Sequence, residues 1–96
     1  MEREHYGVAL VSDTKEAMKA GEAGKRKGLT VRIIPTPGRL YGSCGFSLKY
    51  ALSDEQALCE LFRCLRLSAP VLYHAERQGL SVTYAPVFSP DLHESV

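Results

Sequence analysis

The chain has 96 residues, of which 45% are apolar and 24% charged, and its formal net charge is +1. That length supports one compact domain, and so balanced a charge argues against broad electrostatic capture of nucleic acid or an anionic membrane. No apolar run approaches the roughly 20 residues of a membrane-spanning helix, and the polar first residues differ from a secretory signal. We therefore expect a single domain over residues 1–96, with its core at about 6–87 and a loose tail at 88–96.

The three cysteines are an odd number, which does not suit a closed disulfide framework in so short a chain. Because we expect no export signal, we expect the thiols to be reduced and the protein to be cytoplasmic. The position of each cysteine in the fold then decides what its thiol does.

Apolar runs, cap residues and breakers divide the chain into alternating strands and helices. In chain order they predict strands at 6–11, 29–35, 44–50 and 80–87 and helices at about 14–27 and between 53 and 68. A further short helix reaching 78 would form a helix pair with the second helix.

Both main helices begin at a capping signal. Glu16 follows Asp13 by three residues, and Gln56 follows Ser53 by three. At this spacing the side chains of the cap residue and of the third helical residue accept hydrogen bonds from backbone amides that are otherwise free at the start of a helix. The first helix has a face of small residues and is expected to end at Gly28. In the second, apolar side chains recur at helical spacing at Leu58, Leu61, Phe62 and Leu65.

Pro37, Gly38 and Gly42 mark residues 36–42 as a loop between the second and third strands, which we expect to form a hairpin. After Pro70, in the first turn of the predicted short helix, the chain continues to Gly79 and a last strand. The resulting order predicts an α+β fold: a single-domain ferredoxin-like βαββαβ sandwich with a four-stranded, mainly antiparallel sheet and helices on one face.

The cysteines differ in their predicted surroundings. Cys59 and Cys64 lie in the second helix, about 140° apart around its axis, and are expected to fill semi-buried packing positions. Cys44 lies at a loop–strand boundary between Gly42 and Gly45, where glycines allow another molecule to approach closely.

Cations lie near Cys44 in the sequence and could stabilise its thiolate, the nucleophilic form. Arg39 precedes it by five residues and Lys49 follows it by five, while Arg32 belongs to the neighbouring predicted strand. Spacing alone leaves two interpretations open, a reactive Cys44 or a Cys44 that points into the core.

Other chemical signatures are missing from the sequence. There is no Cys-x-x-Cys pair, no glycine-rich phosphate loop, and no histidine at metal-ligand spacing from a cysteine or carboxylate, since His5, His74 and His93 are scattered. We therefore expect neither a metal nor a cofactor.

The segment Ile34–Arg39 followed by Ser43–Leu48 resembles the selenium/sulfur carrier-like family. The similarity extends from about residue 6 to residue 67 and includes an early strand, a helix containing Glu16–Met18, a proline-rich turn and the Ser-Cys-Gly element. It implies thiol chemistry at Cys44.

These observations predict a site in which Cys44 is the functional thiol and Ser43, Gly45, Arg39 and Lys49 support it. The protein would carry sulfur or selenium as a persulfide or selenosulfide between donor and acceptor proteins. It would be a carrier rather than an enzyme, and we do not expect a membrane or a nucleic acid among its partners.

The alternative is a ferredoxin-like regulatory or assembly module without covalent chemistry, in which Cys44 is structural. Such a module would bind a protein partner or form a homodimer through an uncovered sheet face or edge strand. RNA binding ranks last, because Gly45–Tyr50 of the predicted third strand has Leu48 where a second base-stacking aromatic residue is wanted and the net charge is only +1.

Overall fold

The computed structural model describes residues 3–40 and 44–87. These residues form an α+β fold with two α-helices and a five-stranded sheet. The elements are β1 (Arg3–Leu10), α1 (Thr14–Arg26), β2 (Val31–Pro35), β3 (Phe46–Tyr50), a short 3-10 helix (Leu52–Asp54), α2 (Glu55–Cys64), β4 (Val71–Gln78) and β5 (Ser81–Pro86).

The strands lie in the order β2-β3-β1-β4-β5, and every neighbouring pair is antiparallel. The longest ladder joins β1 to β4 and pairs all eight residues of each, from Arg3↔Gln78 to Leu10↔Val71. The second half of β1, from Gly7 to Leu10, also pairs with β3, so this part of the central strand has a neighbour on both sides. The sheet therefore has five strands, and the predicted number of four is wrong.

The first helix follows its predicted pattern closely. The side chain of Asp13 caps α1 by accepting a hydrogen bond from the amide of Glu16 at 2.8 Å. Gly28, just past the helix end, takes a φ of +83°, a conformation that favours glycine. The small buried residues of α1 let the helix lie close to the sheet, since a Cβ added at Gly24 would be 2.8 Å from Val31.

The second helix begins differently from the prediction. A 3-10 turn precedes α2, and Asp54 rather than Ser53 is its N-cap residue, without a side-chain cap bond. The Asp54 carboxylate instead accepts from the amide of Thr30 at 2.8 Å and so ties the helix start to the approach to β2. The predicted apolar face is confirmed at Leu58, Leu61 and Phe62, whereas Leu65 is 38% exposed.

The predicted helix reaching Gln78 is wrong, because that segment is β4. Pro70 and Gly79 look like helix boundaries in the sequence but border a strand that pairs with all of β1. This long ladder satisfies backbone groups that an isolated short helix would leave to solvent. The predicted last strand is confirmed as β5, which forms a hairpin with β4.

Each face of the sheet has its own apolar cluster. On the helix face, side chains of α1 and α2 pack against β1, β2 and β3 around Ala9, Val31 and Leu48. On the other face, here called the open face, Val8 and Leu10 pack with Leu40 of the 36–40 loop. No helix within residues 3–40 and 44–87 is long and apolar enough to cross a membrane. The predicted tail, 88–96, lies outside the described residues.

Candidate functional site

Cys44 lies where the first turn of α1 meets the approach to β3. Its Sγ is 3.6 Å from Oγ1 of Thr14, the first residue of α1, a hydrogen-bond distance for sulfur. The backbone amide of Phe46 donates to the same Sγ at 3.5 Å. The Cys44 residue is 8% exposed and belongs to the cluster on the helix face. Two polar groups therefore meet the sulfur at the rim of the core.

Thr36 fixes the backbone that carries Cys44. Its Oγ1 donates to the carbonyl of Cys44 at 3.0 Å and lies 2.7 Å from Oγ of the buried Ser47. The Thr36 amide also donates to the carbonyl of Gly45 at 2.9 Å. These bonds connect the end of β2 to the start of β3, so Cys44 is held by strand ends rather than by its own loop alone.

The predicted supporting residues are not all brought to the thiol. Gly45 adjoins Cys44, and a Cβ added at Gly45 would meet no atom within 4 Å, so there is open space at this glycine. Ser43 lies outside the described residues.

Arg39 and Lys49 have partners elsewhere. Arg39 donates to the carbonyl of Val82 on β5 at 3.2 Å. The Lys49 ammonium lies 3.1 Å from the carboxylate of Glu4 and 4.2 Å from the ring centroid of Tyr6. Tyr6 packs against the open-face cluster, whereas Cys44 belongs to the helix-face cluster. Within the described part of the chain, both cations therefore contact the face opposite the thiol.

The two other cysteines occupy different environments. Cys59 is partly buried, whereas Cys64, at the end of α2, is exposed, so the packing role predicted for Cys64 is wrong. None of the three is disulfide-bonded. Cys44 is the most buried of the three cysteines, and it is the cysteine of the Ser-Cys-Gly element in the sequence.

A second polar cluster joins β3, α2 and β4 on the helix face. The Tyr50 hydroxyl donates to Oε1 of Glu55 at 2.7 Å, and Nε2 of His74 lies 2.6 Å from the same oxygen. Gly7 pairs with Tyr50 on one side and His74 on the other, and its missing side chain leaves room for the tyrosine ring. Burial and, to a smaller extent, Glu55 raise the pKa of Tyr50 well above its ordinary value.

Stability should therefore fall at alkaline pH. Because the folded pKa of Tyr50 exceeds the unfolded value of 10.0, its contribution is complete below pH 10 and decreases as the pH rises further. We expect a loss of about 1 kcal/mol per pH unit above that point. Urea unfolding at pH 8 and pH 11 measures the free energy of unfolding at each pH, and Tyr50→Phe should reduce the difference between the two values. An identical pH dependence in the variant would contradict the assignment.

Residues 3–40 and 44–87 contain no group of three or more histidine, cysteine or acidic side chains that could hold an ion.

The partner that sequence reasoning missed is Thr14. It lies 30 positions from Cys44, and the sequence marks it only as part of the cap of α1. Only the strand order could have indicated this contact, because β3 lies beside β1 and α1 begins shortly after β1 ends. The contribution of the Phe46 amide carries no sequence signal, because it comes from backbone geometry.

Comparison with known proteins supplies a family but no close relative. The family model described as "Putative Se/S carrier protein-like" matches residues 6–66, nearly two thirds of the chain. No curated protein and no solved structure matches the chain. The matched region begins within β1, ends just after α2 and contains Cys44 and its hydrogen-bond partners Thr14, Thr36 and Phe46.

Proposed function

Because the chain belongs to the Se/S carrier protein-like family, we propose that it carries sulfur or selenium on the thiol of Cys44. The observation that supports this most strongly is the setting of Sγ, with the Thr14 hydroxyl at 3.6 Å and the Phe46 amide at 3.5 Å. An N–H donor stabilises a sulfur anion, and a charge-assisted bond of this kind is stronger than one between neutral groups. The positive end of the α1 dipole acts in the same direction.

Loading and delivery are two successive exchanges at sulfur. The Cys44 thiolate attacks the outer sulfur of a donor persulfide, the donor S–S bond breaks, and the donor leaves as a thiolate. Cys44 then holds the persulfide Cys–S–S⁻. An acceptor thiolate attacks that outer sulfur, a new S–S bond forms on the acceptor, and the Cys44 thiolate is released. No external oxidant or reductant is consumed, and a selenium atom in the outer position follows the same steps.

The approach to Cys44 is restricted to one side. With 8% of the residue exposed, a partner reaches Sγ only by a close fit. The adjoining Gly45 has open space at its own Cβ position, and the neighbouring Phe46 is 43% exposed. We infer that donor and acceptor proteins approach over Gly45, in a reducing compartment such as the cytoplasm. The supporting roles of Ser43, Arg39 and Lys49 remain predictions.

We also propose that β1 to β4 and the two helices form a ferredoxin-like core to which β5 is added. The strand order β2-β3-β1-β4 and its antiparallel pairing support this. An experimental structure with right-handed crossovers from β1 to β2 and from β3 to β4 would agree with the proposal, whereas a left-handed crossover would contradict it.

Cyanide release of the carried sulfur tests the main proposal. The protein is incubated with inorganic polysulfide, desalted and treated with cyanide, which removes outer sulfur as thiocyanate. We expect about one thiocyanate per chain from the Cys59→Ala/Cys64→Ala protein and a background yield when Cys44→Ser is added, because the chemistry needs one thiolate. Equal yields from both proteins would exclude Cys44 as the carrier.

The Thr14 hydroxyl gives a finer prediction. In the same Cys59→Ala/Cys64→Ala background, Thr14→Val should slow the reaction of Cys44 with iodoacetamide about fivefold, since about 1 kcal/mol of hydrogen bonding to the sulfur is lost. Thr14→Ser, which retains the hydroxyl, serves as the control and should react at nearly the wild-type rate. If valine and serine at this position give the same rate, the contact has no chemical role.

The burial of Cys44 also favours a second candidate, a regulatory or assembly module in which this residue only packs. Under that proposal Cys44→Ser folds normally and keeps every partner of the protein. The Cys44 thiol is then alkylated no faster than a simple model thiol, and the thiocyanate yield stays at background. The same two measurements therefore separate the candidates.

A further inference from the structure

Although the net charge of the chain is only +1, positively charged side chains outnumber negatively charged ones on the described open face of the sheet. The register of the sheet places Glu4, Arg32, Lys49 and Arg77 with side chains on the open face, because paired residues point to the same side. Arg39 reaches this face from the 36–40 loop and bonds to β5. Among the described residues the open face thus carries four cations and one carboxylate.

Three tyrosines lie among these cations. Tyr6, Tyr73 and Tyr84 belong to β1, β4 and β5, share the open face and are each partly exposed. Tyr6 and Tyr84 pair with Ala75 from its two sides, and the Lys49 ammonium lies 4.2 Å from the centroid of the Tyr6 ring. The three tyrosines therefore lie on one face across three neighbouring strands.

A groove runs beside the loop that carries Arg39. Its volume is about 430 Å³, and its lining includes the guanidinium of Arg39 and the rings of Tyr73 and Tyr84. A second groove of about 280 Å³ continues along β5 and shares Arg39 and Tyr84. A planar group can stack on the tyrosines here while an anion meets the guanidinium.

These features select the kind of occupant. A second copy of the chain would bring four cations against four, and like charges placed face to face are unfavourable. An acidic protein would satisfy the cations but has no need of three tyrosines at fixed positions. Single-stranded nucleic acid satisfies both, since its phosphates follow a cationic surface while its bases stack on aromatic rings.

We propose that the open face of the sheet binds single-stranded nucleic acid, with bases stacked on Tyr73 and Tyr84 and phosphates against Arg32, Arg39 and Arg77. This surface lies on the side of the sheet opposite Cys44, so the proposal is independent of the thiol chemistry. Its sequence preference would be weak, because stacking platforms accept every base.

Fluorescence anisotropy of the full chain with a labelled ten-nucleotide oligouridine tests this proposal. Binding should weaken with salt, with a log–log slope of about −2 for three phosphate contacts. Arg32→Gln should make the slope shallower by about 0.7, and Lys19→Gln, on the exposed side of α1, is the matched control that should leave it unchanged. Tyr84→Leu should weaken binding about tenfold through lost stacking, whereas Tyr84→Phe should retain it.

Three results would overturn the proposal. The first is no binding at low salt, and the second is an equal effect of Arg32→Gln and Lys19→Gln. The third is equal competition by a polyglutamate peptide together with wild-type affinity in Tyr84→Leu, which would identify an acidic protein surface as the occupant. Circular dichroism of each variant establishes that the sheet is intact.

Discussion

Replacing Gly7 with alanine is expected to destabilise the protein by about 3 kcal/mol, the upper range for inserting atoms into a packed core. A Cβ at this position would overlap the ring of Tyr50, which is 2% exposed and bonded through its hydroxyl to Glu55. The ring cannot turn aside without losing that bond. For a domain of this size the melting temperature should fall by roughly 10–20 °C.

A matched glycine and a second substitution make this expectation specific. Gly45→Ala should change stability by no more than about 0.5 kcal/mol, because a Cβ there meets no atom within 4 Å. In a Tyr50→Leu background, where the ring is absent, Gly7→Ala should cost less than about 1 kcal/mol. A full penalty in that background would show that the Tyr50 ring is not the cause.

Phe62→Ala should cost about 4 kcal/mol, because it opens a cavity where α2 packs on the sheet. Phe62 is 1% exposed and belongs to the helix-face cluster with Leu58 and Leu61. Such a loss approaches the entire stability of many small domains, so we expect a partly unfolded population at 37 °C.

Leu65→Ala is the control for this substitution. Leu65 continues the same apolar repeat along the chain but is 38% exposed, so its truncation should cost less than about 1 kcal/mol. Urea unfolding followed by circular dichroism measures both variants. Similar midpoints for the two would contradict the packing described for α2.

The sequence predicted those elements whose signals are local. The cap at Asp13, the end of α1 at Gly28 and the buried face of α2 depend on residues within a few positions of one another, and the structure confirms them. The residues of β4 carry local signals of a helix, but their pairing with the whole of β1 decides the outcome. That pairing depends on residues about 70 positions apart and leaves no local pattern.

The candidate site shows the same division. The sequence identifies Cys44 through its glycine neighbours and its family resemblance, whereas the Thr14 contact arises only when β1 and β3 become adjacent. Lys49 is close to Cys44 in sequence, and the two positions differ by five. Alternation along an extended chain then turns the two side chains to opposite faces, and Lys49 contacts Glu4 and Tyr6.

The net charge was a similarly incomplete guide. A value of +1 argues against nucleic acid only if the charges are evenly spread, and the described open face gathers four cations against one carboxylate. Sheet register determines this separation, and register was not available from composition.

The central claim is that Cys44 alone holds the transferred atom. Its most direct test is the intact mass of three variants that each keep one cysteine, at position 44, 59 or 64, after incubation with a persulfide donor and removal of the excess. Our account predicts that the protein keeping Cys44 gains the mass of one sulfur atom and loses it to added thiol, while the other two stay unmodified. A gain of mass in the protein keeping Cys64, with none in the protein keeping Cys44, would contradict it.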